Sequence, residues 1–185
     1  LHKKYEVFPD LAIFGKALGN GYAITSVIGK DNVMEAAQST FISSTFWTER
    51  IGPVAALQTL KIMEETNSWN YISELGNYLK SRWKEIAQRN KLKIKLTGIS
   101  SLPGFTFESS NNLAYKTLIS QEMLKKGYLA SNLCYLSIAH NKQIIDSYIE
   151  HLDNIFHLIK QCEEGRDVSK LLETSICHGN FKRLN

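Results

Sequence analysis

The apolar positions of this chain are most regular in its second half. Ile72, Leu75, Leu79, Trp83 and Ile86 fall three or four residues apart, the spacing of a single apolar stripe along a helix, and Trp83 on that stripe reads as core. Beyond Asn90 the spacing drops to two. Leu92, Ile94 and Leu96 alternate with Lys91, Lys93 and Lys95, and Phe105 and Phe107 alternate after a turn over 97–104. This predicts an antiparallel pair of strands with the lysines on the wet face. Residues 113–126 read as a helix closed by Gly127 at the position after its C-cap, and 128–129 and 133–138 as short strands. A last helix is predicted over 142–160, with Ile145, Tyr148, Leu152, Ile155 and Ile159 along one side. The order of these elements describes a small α+β unit over 68–185.

The first 67 residues follow a different pattern. Leu11 to Phe14 reads as a short buried strand, 15–21 as a glycine-rich turn, and 22–28 as a second strand ended by Gly29. A short helix is expected over 33–38 with Asp31 near its N-cap. The polar, irregular stretch 39–50 leads to Pro53, which suits the first turn of a helix, and Ala56, Leu57, Leu60 and Met63 then recur along it. Two strands, a short helix, a long loop and a longer helix need neighbours that 1–67 does not supply. This segment therefore reads as the C-terminal portion of a larger α/β domain.

Composition narrows the class. With 43% hydrophobic and 22% charged residues, the chain is expected to be an ordinary soluble globular protein. No apolar run approaches the roughly 18 residues of a membrane span, and no charged segment followed by an apolar one opens the chain. The net charge of +4 is spread among interleaved acids. Only 91–95 is compactly basic, too narrow a footprint for nucleic acid. Cys134, Cys162 and Cys177 are odd in number and lack CxxC spacing, which argues against a disulfide framework and for a reducing, cytoplasmic setting. The five histidines form no HExxH pattern, and His151 and His157 stand six apart, so no metal site is expected.

Two glycine–lysine pairs raise the question of phosphate binding. Gly15-Lys16 is followed by Ala17 and has Asp10 where a P-loop requires glycine; Gly29-Lys30 is followed by Asp31 and has Ile24 there. Both fail the GxxxxGK[ST] pattern, and Gly19-Asn20-Gly21 lacks the third glycine of GxGxxG. From these residues alone two readings of Lys16 stay open. It is an ordinary loop lysine, which the local residues favour, or an amine desolvated at the end of a buried strand and suited to imine chemistry.

A longer motif bears on that choice. Pro9-Asp10-Leu11-Ala12-Ile13-Phe14-Gly15-Lys16-Ala17-Leu18-Gly19-Asn20-Gly21-Tyr22 resembles the cofactor-lysine segment of the class III aminotransferases, in particular the glutamate-1-semialdehyde 2,1-aminomutase-like branch. The resemblance implies that Lys16 binds pyridoxal 5'-phosphate (PLP) covalently as a Schiff base and acts as the catalytic acid and base. Ser44-Thr45-Phe46-Trp47-Thr48-Glu49-Arg50-Ile51-Gly52-Pro53 is similar to the segment whose threonine contacts the cofactor phosphate of a neighbouring subunit. Anchored on Pro53 that threonine is Thr48, with Thr45 as the competitor, and a homodimer is implied. Gln121-Glu122-Met123-Leu124, Ala139-His140 and the closing Gly179-Asn180-Phe181-Lys182-Arg183-Leu184 are similar to the family's small domain and tail.

The fold implied is the C-terminal part of a fold-type I PLP-dependent transferase, α/β with α+β. Residues 1–67 would be the end of the large PLP-binding domain and 68–185 the small domain. The implied reaction is amino transfer, or a 2,1-amino shift, on an amino aldehyde, keto or amino acid substrate. A racemase or epimerase of the same fold, or a non-catalytic piece retaining the dimerisation surface, are the alternatives. Two departures from the family pattern lie near the expected site. Ile51-Gly52-Pro53, after the charged Glu49-Arg50, stands where many members have a small residue followed by Asn-Pro, and Ala23 stands where a proline is common. The family's phosphate cup, the aromatic ring stacked on the cofactor and the aspartate at the pyridine nitrogen have no counterpart in the 15 residues before Lys16, so this chain by itself is expected to be inactive.

Overall fold

The computed structural model describes residues 2–179, which leaves Asn180 to Leu184 of the tail motif outside the described residues. The chain divides into two compact units, Leu1–Asn67 and Ser68–Asn185.

In the first unit, β1 (Leu11–Phe14) pairs antiparallel with β2 (Ser26–Gly29), Leu11 opposite Gly29 and Phe14 opposite Ser26. The ribbon is closed at its open end by Lys30. Its backbone N–H donates to the Asp10 carbonyl at 3.0 Å and its ammonium meets the Asp10 carboxylate at 2.7 Å. Strand β2 begins four residues later than the expected strand over 22–28, because 22–24 is held against two glycines instead of against β1. The short helix α1 (Asp31–Met34) continues as a 3-10 turn, Glu35–Ser39. Lys30, not Asp31, is its N-cap, and Asp31 is the first helical residue, where a carboxylate suits the positive end of the helix dipole.

Helix α2 (Ile51–Glu65) follows, with Pro53 in its first turn and the Glu49 carboxylate accepting from the Ile51 N–H at 2.5 Å. Of the stripe predicted on α2 only Ala56 is buried; Leu57 is 69% exposed and Leu60 51%. Strand β1 is likewise not the buried strand its sequence suggests, since Ile13 is 76% exposed. The reason is architectural. A two-stranded ribbon has two open faces and is marginal without a further layer, and the described residues of this unit provide none.

The second unit has a full core. Helix α3 (Ser68–Arg89) and helix α5 (Lys142–Glu163) pack together, α4 (Asn112–Lys125) lies against α5, and β3 (Ile94–Thr97) pairs antiparallel with β4 (Gly104–Phe107) beside them. Phe105 is the aromatic hub. Its ring lies 4.8 Å from Trp83 and 5.7 Å from both Phe107 and Phe156, all edge to face, the geometry favoured by ring quadrupoles. Trp83 is fully buried, and its indole N–H donates to the Tyr148 phenol at 3.2 Å. Each such large side chain contributes about 1.5–3 kcal/mol by leaving water. Lys91, Lys93 and Lys95 are exposed while Leu92, Ile94 and Leu96 are partly buried, as the alternation predicts. Helix α4 ends at Lys125 with Lys126 as its C-cap, and Gly127 beyond it has φ +83°, a left-handed position that suits glycine.

The strands expected at 128–129 and 133–138 do not form. Only Leu133 makes a ladder bridge, to Gly104. The stretch nevertheless runs antiparallel beside 101–105. Phe105 N–H donates to the Asn132 carbonyl at 3.0 Å, Cys134 N–H to Pro103 at 3.0 Å, and Leu136 N–H to Ser101 at 3.3 Å. Pro103 has no N–H to return the bond to Cys134, and at the next rung the Asn132 side-chain amide takes the Phe105 carbonyl at 2.9 Å. The ladder is interrupted at both places where it would have become a strand.

Candidate active site

Lys16 stands one residue beyond β1, after Gly15, and opens a 3-10 turn, Lys16–Leu18. Its own φ is +50°, in the left-handed region, where a non-glycine residue is held at some conformational cost. The turn is tied by Leu18 N–H to the Gly15 carbonyl at 3.1 Å and by Asn20 N–H to the Lys16 carbonyl at 3.2 Å. Asn20 and Gly21 also have positive φ, +45° and +112°. Three such residues within six turn the chain back on itself, and an open recess results, lined by Lys16, Ala17, Asn20, Gly21, Tyr22 and Ala23. The Lys16 side chain is exposed, and among the described residues its amine has no hydrogen bond or ion pair.

The contrast with Lys30 is direct. Both lysines follow a glycine at the end of a strand, but the Lys30 ammonium is engaged by Asp10. A reagent carbonyl would find the Lys16 amine unpaired, at the mouth of a recess, and the Lys30 amine neutralised by a carboxylate.

Thr45 to Thr48 form a turn before α2. Ser44 organises it: its hydroxyl accepts from Phe46 N–H at 3.2 Å and its carbonyl from Trp47 N–H at 3.3 Å, while Glu49 N–H donates to the Phe46 carbonyl at 3.1 Å. Thr45 and Thr48 are both exposed, and neither lines the recess around Lys16. The helix that Thr48 precedes does lie against the Lys16 turn.

That contact is made through residues other than the candidate site residues Lys16, Thr48 and Thr45. Gly19, which ends the Lys16 turn, and Gly52, in the first turn of α2, are both buried. A Cβ on Gly52 would come within 2.7 Å of the Ala23 carbonyl and 3.1 Å of the Ile24 Cβ; one on Gly19 would collide with the Tyr22 carbonyl and come within 2.8 Å of Ile24 Cγ2. The two departures from the family pattern, Gly52 and Ala23, therefore touch. A signal existed in the sequence: glycine is a poor residue inside a helix, so its place next to Pro53 marks a close approach.

A carbonyl cofactor attached through an amine fits Lys16, which is unpaired and reachable. No carboxylate lines the recess, so its lining offers no partner for a ring nitrogen. Among the described residues no group of three or more His, Cys, Asp or Glu could hold a metal ion, and no helix is long and apolar enough to cross a membrane.

Residues 1–162 match the model of the aminotransferase class-III family, and the chain belongs to that family. Its relatives include a 3-aminobutyryl-CoA aminotransferase of Cloacimonas acidaminovorans, 30% identical over 72% of this chain and 34% of the relative. A glutamate-1-semialdehyde 2,1-aminomutase of Methanocaldococcus jannaschii is 23% identical over 82% of this chain and 39% of the relative. Among solved structures, the PLP internal aldimine form of the Sphingopyxis sp. MTA144 FumI protein superposes with a TM-score of 0.78 and 24% identity, covering 92% of this chain and 42% of that one. The fold is that of the fold-type I PLP transferases, mixed α/β. The chain spans about a third to two-fifths of the length of the proteins it matches.

Proposed function

We propose that this chain is part of a PLP-dependent enzyme that moves an amino group, by transamination or by a 2,1-amino shift, on an amino aldehyde, keto or amino acid substrate. The observation that carries this reading is the Lys16 amine, unpaired and set at a recess, within a chain of the class-III aminotransferase family. Residues 1–67 then belong to the large domain and 68–185 to the small one.

Lys16 would hold the cofactor covalently until an incoming substrate amine displaces it. The freed amine would then take a proton from the substrate α-carbon and return it two atoms away, beyond the nitrogen, as general base and general acid in turn. When bound, the cofactor supplies the electron sink for that proton transfer. The hydroxyl of Thr48, with Thr45 as the alternative, would bind the phosphate of the cofactor in a second copy of the chain, so the working form is a homodimer. A reducing, cytoplasmic setting accords with three thiols that are all free.

Incubating the natural full-length protein with PLP, reducing with borohydride and mapping the modified peptide tests the assignment. The adduct is expected on Lys16 and absent from Lys16→Ala; an adduct confined to another lysine overturns it. An amino-donor screen then separates the two reactions, since a mutase turns over without an external donor and a transaminase does not. The family includes both a named CoA-thioester aminotransferase and named aminomutases among the relatives, which is why the screen should cover both.

A further inference from the structure

Residues 22–24 lie against two positions that lack a Cβ. One is Gly19, whose N–H bonds back to the Lys16 carbonyl and closes the Lys16 turn. The other is Gly52, on the first turn of α2. The nearest atoms to a Cβ at either site belong to the 22–24 backbone or to Ile24. A flexible side chain can swing aside, whereas a backbone carbonyl moves only if its segment moves. Gly15, at the entrance of the turn, faces the same stretch, with the Thr25 Cγ2 3.4 Å from where its Cβ would stand. The Lys16 turn is thereby registered against α2 by backbone contact, with residues 22–24 as the spacer.

Building on the assignment of Lys16 above, we propose that Gly52 is a positioning residue for the Lys16 amine. Its missing side chain lets α2 seat against Ala23 and Ile24, and that seating sets where the Gly19-closed turn presents Lys16. A methyl group at 52 stands 2.7 Å from the Ala23 carbonyl, so the 22–24 spacer must shift by several tenths of an ångström. Ala23 itself lines the recess, so the shift reaches both the amine and the wall beside it. Misplacement of a reacting group on this scale slows a reaction by about tenfold or more.

The test follows cofactor attachment and not turnover. The natural full-length protein, Gly52→Ala and Ile24→Ala are mixed with a range of PLP concentrations, quenched with borohydride over time, and the Lys16 peptide is quantified. Gly52→Ala drives the spacer away and Ile24→Ala loosens its grip, so both should lower the maximal rate constant of adduct formation by about tenfold. The half-saturating PLP concentration should stay within about twofold of wild type, because neither variant removes a side chain proposed to bind the cofactor. A purely structural defect would lower the amplitude through a smaller folded fraction and leave the rate constant unchanged.

Wild-type rate constants in Gly52→Ala overturn the proposal. If Gly52→Ala yields no folded protein, wild-type rate constants in Ile24→Ala overturn it instead. Absence of any Lys16 adduct in the wild type refutes the assignment of Lys16 itself, a different outcome from a wild-type adduct that the two variants leave unaltered.

Discussion

The Tyr115 phenol on α4 donates to the Glu163 carboxylate on α5 at 2.5 Å, and the same oxygen accepts from the Ser109 hydroxyl at 2.7 Å. Burial, reinforced by the bond to Glu163, pushes the phenol from its ordinary 10.0 up to about 12. The folded state thus holds this proton more tightly than the unfolded chain. Its contribution is complete below pH 10 and is lost as pH rises through about 12. Between pH 9.5 and 12 the unfolding free energy should therefore fall more steeply in wild type than in Tyr115→Phe, the difference reaching about 2 kcal/mol. Tyr78, through its bond to Asp146 and burial, and Tyr148, through burial, are raised too, but equally in both proteins. Urea titrations across this pH range decide the matter, and parallel pH dependences would refute the assignment.

Phe105 touches three other rings and is fully buried. Phe105→Ala should cost about 3–5 kcal/mol, the loss of burial plus an unfilled cavity. Thermal unfolding followed by tryptophan fluorescence would report it directly, because Trp83 lies against the vacated space.

The two glycine-flanked lysines should separate cleanly by substitution. Lys30→Ala removes an exposed ion pair with Asp10 and should cost no more than about 1 kcal/mol, leaving cofactor attachment intact. Lys16→Ala should abolish the borohydride-trapped adduct with no loss of stability beyond that scale. Finding the adduct sensitive to Lys30 and indifferent to Lys16 would exchange their roles.

The two units should also differ in protease resistance. In Ser68–Asn185 the apolar side chains of α3, α4, α5 and β4 share one buried core, whereas in Leu1–Asn67 most large apolar residues are exposed. Local opening is easiest where few apolar contacts must break. Brief digestion of the 185-residue chain should cut before Ser68 and spare a fragment that starts close to it. Cleavage distributed evenly over both units, read by mass spectrometry, would contradict this.

Much of the second unit was legible from residue spacing. The stripe through Leu75, Leu79, Trp83 and Ile86 and that through Ile145, Leu152, Ile155 and Ile159 name the buried faces of α3 and α5, because a helix repeats its facing every three or four residues. Gly127 marked the end of α4 because only glycine accepts its backbone angle readily. The motif around Lys16 pointed to the residue itself, although nothing local distinguished its amine from that of Lys30.

The sequence by itself determined the helices, the β3–β4 pair, the apolar faces of α3 and α5, and the lysine to consider. Tertiary structure alone decided that the amine of Lys16 stays unpaired while Asp10 takes Lys30, that β2 starts at Ser26, and that residues 132–136 stop short of a strand at Pro103. It alone set Gly52 against Ala23 beside the Lys16 turn. Periodicity records which side of an element avoids water, a property of that element. Which backbone it then meets, and how closely, depends on segments distant in the chain.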